Sequence, residues 1–187
     1  MAACTWAKRL KTDLYTMKRN PELLAPAGTL DHLEYAFAFG ADAVYAGMPR
    51  YSLRVRNNAF DRENIETGIR RAHALDKQFF LACNLIPHGS KVETFMEDIA
   101  PFVELQPDAM IMADPGLIMM VRDRWPELPI HLSVQANTMN AATVRFWQRQ
   151  GLQRIILSRE LDLDEVEEIR QACPEMELEV FVHGALC

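Results

Sequence analysis

The sequence predicts an α/β protein built as a parallel (β/α) barrel of the TIM type, truncated after about seven strands. Seven short apolar runs alternate with six longer segments whose apolar residues recur at helical spacing. Runs that are apolar on both faces and lie between amphipathic helices are typical of parallel strands covered by helices. A complete barrel takes about 250 residues, whereas this chain has 187. We therefore expect residues 21–187 to form an incomplete (β/α)₈ barrel.

The predicted strands are short runs rich in Val, Ile, Leu, Ala and Met. Three of them, which start near Ala43, Ala109 and Ile155, follow a helix stop directly. In chain order the strands are expected at residues 22–24, 43–46, 78–85, 109–112, 130–134, 155–157 and 178–182.

The predicted helices have recognisable ends. The first begins near Leu30 and ends at Gly40, because glycine suits a helix C-terminal cap. The second is marked by apolar residues within 65–72. Ser90 and Glu93 have the spacing of a capping box for the third.

The later helices follow the same logic. Asp114 and Pro115 supply an N-cap carboxylate and a proline at the first helical position of the fourth helix. The fifth contains Val144 and Trp147, and the sixth begins near Asp162.

A doubly wound open sheet is the alternative fold. That fold usually carries a glycine-rich phosphate turn, G-x-G-x-x-G, after its first strand. Here the turn reads Ala25-Pro26-Ala27-Gly28, which does not fit. The barrel is therefore favoured.

Composition and charge exclude several classes of protein. A hydrophobic content of 49% with 25% charged residues excludes a disordered or collagenous chain. The net charge is −6; residues 1–20 hold five Lys/Arg and one Asp, so this basic N-terminal extension carries +4 and the remainder −10. With so negative a net charge, residues 21–187 are not expected to bind the phosphate backbone of a nucleic acid through overall charge.

The four cysteines lie far apart and form no zinc-type spacing, which indicates a reduced compartment. No apolar run approaches the roughly 18 residues of a membrane span, and residues 1–20 lack a secretory apolar stretch. We expect a cytoplasmic protein.

Candidate site residues follow the strands, because active sites of parallel barrels lie at the C-terminal ends of the strands. These polar positions are Arg50, Tyr51, Arg54, Arg56, Asn57 and Asn58 after the second strand, Asn84 and His88 after the third, Asp114 after the fourth, Gln135 and Asn137 after the fifth, Ser158, Arg159 and Glu160 after the sixth, and His183 and Cys187 after the seventh.

Arginines are the most informative of these. Arg50, Arg54 and Arg56 lie within one loop, and their guanidinium groups match carboxylates or phosphates of a substrate. The alternative is a solvated loop whose arginines pair with the nearby acids of residues 61–66. Arg159 is either an anion ligand or half of an ion pair near Glu160.

The remaining candidates have competing explanations. His88 is a candidate general acid or base, although a loop histidine next to a helix start serves structure equally well. His183 is a second catalytic candidate. Asp114 is better explained as an N-cap than as a catalytic group. No metalloprotease, serine hydrolase or Walker motif is present.

The segment from Glu179 to Cys187 resembles the first half of the signature of the collagenase-like "peptidase U" family. The resemblance extends over residues 18–187, through Pro21–Gly28, Gly40–Gly47, Tyr51–Asn58, Asp114–Ile118, His131–Asn137 and Ile156–Glu160. Together the segments most resemble the tRNA-hydroxylating branch of that family.

This resemblance implies an enzyme that converts the wobble uridine of tRNA to 5-hydroxyuridine with prephenate as the oxygen source. It also implies an iron–sulfur cluster whose first ligand is Cys187, and it makes Arg50, Arg54, Arg56 and Arg159 candidate ligands of the prephenate dicarboxylate. The family label leaves a collagenase-like peptidase as the alternative. A third interpretation is an inactive barrel fragment, since one cysteine cannot hold a cluster.

Overall fold

Seven parallel strands lie side by side in chain order in a single sheet. The computed structural model describes residues 21–53 and 59–184, so the predicted extension over 1–20 lies outside the described residues. The strands are β1 (Leu24–Pro26), β2 (Ala43–Gly47), β3 (Gln78–Cys83), β4 (Ala109–Met112), β5 (Ile130–Leu132), β6 (Arg154–Ile156) and β7 (Glu177–Glu179).

A helix follows each of the first six strands, and a short 3₁₀ turn over Val134–Ala136 precedes the fifth helix. None of the helices in the described ranges is long and apolar enough to cross a membrane. The helices are α1 (Leu30–Ala38), α2 (Arg62–Ala74), α3 (Ser90–Val103), α4 (Pro115–Arg124), α5 (Ala141–Arg149) and α6 (Leu163–Ala172). The strict β–α alternation predicted from the sequence is confirmed.

The sheet is curled into an open barrel. In a flat sheet β1 and β6 would be five strand spacings, about 24 Å, apart. Instead Nη1 of Arg154, on β6, lies 2.6 Å from Oε1 of Glu22, two residues before the start of β1. Two side chains cannot span the flat distance, so the curvature of a barrel is required.

Two separate apolar clusters follow from this curvature. Val44, Leu81 and Met110 point outward from the sheet and pack with the helices in the larger cluster. Their strand neighbours, such as Phe80 and Ile111, belong to a smaller cluster inside the barrel. Strand side chains alternate between the two faces, so strands that are apolar throughout feed both clusters.

The helix starts confirm one cap prediction and overturn another. Asp114 accepts a hydrogen bond at Oδ1 from the backbone N–H of Leu117 at 2.9 Å, as an N-cap should. The predicted capping box of Ser90 and Glu93 is wrong: Gly89 is the N-cap residue of α3, with φ of +62°, and no side chain caps that helix. The left-handed turn at Gly89 makes Ser90 the first helical residue rather than the cap.

Several strand boundaries differ from the prediction. β1 covers 24–26 rather than 22–24, and β5 ends at Leu132 rather than at residue 134, where the 3₁₀ turn begins. β3 ends at Cys83 rather than at residue 85, because the backbone N–H of Leu85 donates to the carbonyl of Tyr51 in the loop after β2. β7 covers 177–179 rather than 178–182. Its partner β6 ends at Ile156, opposite Glu179, which leaves no ladder for the later residues.

Candidate active site at the C-terminal ends of the strands

The segments that follow the strands meet at one end of the barrel, which we call the barrel mouth: residues 27–29, 48–53, 84–89, 113–114, 133–140, 157–162 and 180–184. Parallel strands bring all their C-terminal ends to the same rim, so side chains distant in sequence become neighbours there. Of the predicted site positions, Arg54, Arg56, Asn57, Asn58 and Cys187 lie outside the described residues.

Arg159 lies at the barrel mouth directly after β6. Its guanidinium carbon sits 3.5 Å from the centre of the Phe181 ring, which fixes the guanidinium plane by cation–π stacking. Its Nε is buried and makes no hydrogen bond to any described residue. Glu160 accepts a hydrogen bond from the Ser158 hydroxyl, and the positive charge of Arg159 is a smaller cause of its lowered pKa. A stacked guanidinium with an unused donor suits an anionic ligand.

Arg50 is placed differently. Its Nη1 lies 2.6 Å from Oδ2 of Asp98 on α3, and its guanidinium carbon lies 5.4 Å from the Tyr51 ring centre. The loop-pairing alternative named acids of residues 61–66, whereas the observed partner is Asp98. An Arg50 that binds substrate would have to leave this carboxylate.

Tyr51 fixes the same loop to α3. Its hydroxyl donates to Asp98 Oδ2 at 2.6 Å, and the Lys91 carbonyl oxygen lies 3.1 Å from the Tyr51 hydroxyl oxygen. Hydrogen bonding from Tyr51 lowers the pKa of Asp98, while burial, together with the Asp98 hydrogen bond, raises the pKa of Tyr51. The carboxylate and the neutral phenol are therefore the stable forms, and the beginning of the arginine loop is anchored by charge-assisted hydrogen bonds.

Amide side chains form a second anchor for the loop after β2 and tie it to the segment after β5. Asn84, after β3, accepts at Oδ1 from the backbone N–H of Leu53 at 3.2 Å. Its Nδ2 donates to Gln135 Oε1 at 3.1 Å, and Ser133 also donates to that oxygen. The loops after β2, β3 and β5 are thereby tied into one network.

Two serine contacts at the barrel mouth, those of Ser158 and Ser133, do not resemble the nucleophile–base pair of a serine hydrolase. The Ser158 hydroxyl donates to the carboxylate of Glu160, and this hydrogen bond is the main cause of the lowered pKa of Glu160. A carboxylate with a lowered pKa is a weak general base. The Ser133 hydroxyl donates to an amide oxygen, which cannot accept a proton in catalysis.

The two candidate catalytic histidines are both exposed at the mouth. His88 lies in the loop between β3 and α3, and His183 follows β7. Gly184, next to His183, borders the Arg159 guanidinium: a Cβ on this glycine would lie 3.9 Å from Nη2. The structure therefore brings the His183 segment to Arg159, while His88 belongs to a different part of the rim.

The described residues do not supply a site for an iron–sulfur cluster. They contain no group of three His, Cys, Asp or Glu side chains placed to hold a metal ion. Cys83 and Cys173 are free thiols buried in the outer apolar cluster, and burial raises the pKa of the Cys83 thiol, which disfavours the thiolate that a cluster needs. Cys187 as a cluster ligand stays a prediction.

A charged network at the opposite, N-terminal end of the barrel was missed from the sequence; we call it the barrel floor. Arg154 contacts the carboxylates of Glu22, Glu177 and Glu179 at 2.6, 2.9 and 3.8 Å. His131 lies buried beside Phe80, and burial, with the nearby positive charge of Arg154, holds its pKa well below the usual value, so it is neutral. The available signal was the period-two spacing of Glu177 and Glu179, which places both on one strand face.

Comparison with known proteins agrees with this architecture. A relative from Escherichia coli (strain K12) named tRNA hydroxylation protein P is 65% identical over 167 residues, which cover 89% of this chain and 37% of the relative. One of the same name from Haemophilus influenzae (strain ATCC 51907 / DSM 11121 / KW20 / Rd) is 60% identical over 172 residues, 92% of this chain and 37% of that protein. The chain thus spans little more than a third of the length of these relatives.

A solved structure shows the same fold. The U32 peptidase Mk0906 superposes with a TM-score of 0.71 at 14% identity, over 91% of this chain and 72% of the other. The model of "Peptidase family U32" matches residues 28–187. The chain therefore belongs to peptidase family U32.

Proposed function

We propose that the protein is a tRNA hydroxylase of the cytoplasm that converts the wobble uridine to 5-hydroxyuridine and takes the oxygen from prephenate. One observation carries the reaction class: the 65% identity to a protein named tRNA hydroxylation protein P. The choice of uridine and prephenate rests on the family resemblance of the sequence. In the reaction the C5–H bond of uracil is replaced by C5–OH, so the base gives up two electrons to the co-substrate that delivers the oxygen.

The barrel mouth suits a dicarboxylate co-substrate. Residues 21–187 carry a net charge of −10, so an anion needs a localised cation to bind there. Arg159 provides one, because its stacking on Phe181 pre-organises the guanidinium and its buried Nε has no described partner. A ligand carboxylate would satisfy that donor and form a bidentate pair.

Two further arginines complete the proposed anion site. Arg54 and Arg56 fall between residues 53 and 59, and both of these flanking residues are anchored at the mouth: Leu53 to Asn84, and Ala59 to the carbonyl of Gly28 at 2.9 Å. Both ends of the loop are therefore at the rim that Arg159 occupies. We place Arg50 with Asp98 rather than with the substrate.

The remaining assignments follow the resemblance. His183, beside the segment that contacts Arg159, is the better placed of the two proton-transfer candidates, and His88 is the other. The iron–sulfur cluster would begin at Cys187 and requires further ligands that the described residues do not provide.

The test uses the protein at the length of its curated relatives. Wobble-position 5-hydroxyuridine is quantified by mass spectrometry of tRNA nucleosides while the prephenate concentration is varied. Loss of a charge-assisted hydrogen bond costs about 1.5–3 kcal/mol, so Arg159→Ala and the double variant of Arg54 and Arg56 should raise the KM for prephenate about 10- to 100-fold. Arg145→Ala, an exposed arginine on α5, is the matched control.

The possible outcomes distinguish an error in the proposed reaction from an error in the proposed anion site. Unmodified uridine with the wild-type protein, together with hydrolysis of gelatin, would favour the peptidase. Normal prephenate dependence in Arg159→Ala would remove Arg159 from the site while leaving the reaction intact. Iron content and visible absorbance of anaerobically purified protein test the cluster, and absence of iron at full length would overturn it.

A further inference from the structure

The amide network at the barrel mouth defines the orientation of Gln135. A carboxamide has an acceptor oxygen at one end and a donor NH₂ at the other, so its role depends on which end faces outward. The orientation of such a group follows from its hydrogen-bond partners rather than from atomic shape. Here the partners form a chain that starts at the backbone.

The first link is the backbone N–H of Leu53, which can only donate. It lies 3.2 Å from Asn84 and therefore requires the Asn84 oxygen at that position. The Asn84 NH₂ must then face the other way, toward Gln135, 3.1 Å away. An NH₂ group requires an acceptor, so the Gln135 oxygen must face Asn84.

The second link leaves the Gln135 NH₂ pointing away from the network. Its oxygen is occupied by the Asn84 NH₂ and the Ser133 hydroxyl, and no described residue accepts a hydrogen bond from its Nε2. Gln135 is exposed at the mouth and sits on the short 3₁₀ turn after β5, held at its base by the buried Ser133. Its position is therefore fixed, and within the described part of the chain its two donors are unused.

We propose that Gln135 binds substrate by donating from Nε2 to an acceptor oxygen, and that Asn84 is the positioning residue that keeps this donor outward. The inference rests on the proposed function for the identity of the substrate. The matching oxygen is a carbonyl of the target pyrimidine or a carboxylate oxygen of the co-substrate. A neutral amide NH₂ is a donor for either and would complement the guanidinium of Arg159.

Two variants test the two roles in the protein at the length of its relatives. Gln135→Ala removes the donor at an exposed position. Asn84→Asp keeps the acceptor for Leu53 but loses the NH₂, so the Gln135 amide turns its own NH₂ toward the new carboxylate and presents its oxygen outward. One neutral hydrogen bond is worth about 0.5–1.5 kcal/mol, so both variants should raise KM for one substrate about 3- to 10-fold with a smaller change in kcat.

The readouts separate a positioning role from a structural one. KM is measured for tRNA and for prephenate separately; a rise for tRNA assigns the pyrimidine carbonyl, and a rise for prephenate assigns the carboxylate. Protection of the Leu53 amide from hydrogen exchange should persist in Asn84→Asp. Gln148→Ala, an exposed glutamine on α5, is the control and should leave both KM values unchanged.

A direct measurement of ligand binding tests the proposal without depending on enzymatic turnover. Calorimetry with prephenate, and with an anticodon stem-loop that carries uridine at the wobble position, compares wild type with each variant. If neither ligand binds wild type more tightly than Gln135→Ala, the role of Gln135 is overturned. If Asn84→Asp binds as wild type does while Gln135→Ala is weakened, the positioning role of Asn84 is overturned.

Discussion

Replacement of Glu179 by glutamine should stabilise the chain at alkaline pH and leave its stability unchanged in acid. Glu179 lies on β7 in the barrel floor with its side chain 19% exposed. Its Oε2 makes no hydrogen bond to a described residue. Burial raises its pKa to about 7, a shift that the negative charge of Glu22 adds to and the 3.8 Å contact with Arg154 opposes.

The size and the sign follow from proton linkage. The pKa is about 7 in the folded chain and 4.5 for the ordinary group, a difference of about 2.5 units. Each unit is worth about 1.4 kcal/mol, so ionisation of Glu179 costs the folded state about 3 kcal/mol. Because the folded state holds the proton more tightly, this cost is absent below pH 4.5, grows as the pH rises toward 7, and is complete above it.

Glutamine mimics the protonated carboxyl and cannot ionise. We expect Glu179→Gln to match wild type at pH 4.5 and to exceed it by about 3 kcal/mol at pH 8, which is about 6–12 °C in melting temperature for a chain of this size. Burial lowers the pKa of neighbouring His131, which favours its neutral form. Urea unfolding of the 187-residue chain at several pH values measures the difference.

Glu177→Gln is the matched control. Glu177 lies two residues away, is 54% exposed and contacts Arg154 at 2.9 Å, so its replacement should give no gain at pH 8. A stability difference between Glu179→Gln and wild type that does not change from pH 4.5 to 8, or a loss of stability at pH 8, would refute the reasoning.

Three further predictions concern single side chains and are checked by urea unfolding at pH 7. Tyr51→Phe removes a hydroxyl that donates to a carboxylate at 2.6 Å and should cost about 1.5–3 kcal/mol; no loss would mean that the hydroxyl is replaceable by water. Asp114→Ala should cost about 1 kcal/mol as a lost N-cap, whereas Ser90→Ala, which is not a cap, should change stability by less than about 0.5 kcal/mol; equal losses would restore the capping box. Gly68→Ala should destabilise by about 1–3 kcal/mol although alanine favours helices, because its Cβ would lie 2.8 Å from the Phe79 ring; a gain would show that the ring moves aside.

Local sequence signals were sufficient for the elements of the fold but not for its polar interior. Apolar runs and helical spacing depend on neighbouring residues, so the strands and helices appear in the predicted order. The errors at the ends of β3 and β7 occurred where a distant partner decides. The end of β3 is set by a hydrogen bond from Leu85 to a loop 34 positions earlier, and the end of β7 is set by the length of β6.

The candidate site shows the same division. Position at a strand end is a local property, and it placed Arg159, Asn84 and Gln135 at the barrel mouth. The hydrogen-bond partners of these side chains, in contrast, lie far away in the sequence. Arg50 is held by Asp98, 48 residues later, and Gln135 is oriented by Asn84, 51 residues earlier.

Two arginines that bracket β6 show why pairing decides function. Arg154 begins the strand, and its guanidinium contacts three carboxylates at the barrel floor. Arg159 follows the strand end, stacks on an aromatic ring and keeps a buried donor unused among the described residues. A guanidinium whose donors are paired, such as that of Arg154, holds strands together, and its contact with Glu22 does so across the barrel. A guanidinium with an unused donor, fixed in plane at the rim, is disposed to bind an anion, because none of the described residues supplies the acceptor that its Nε needs.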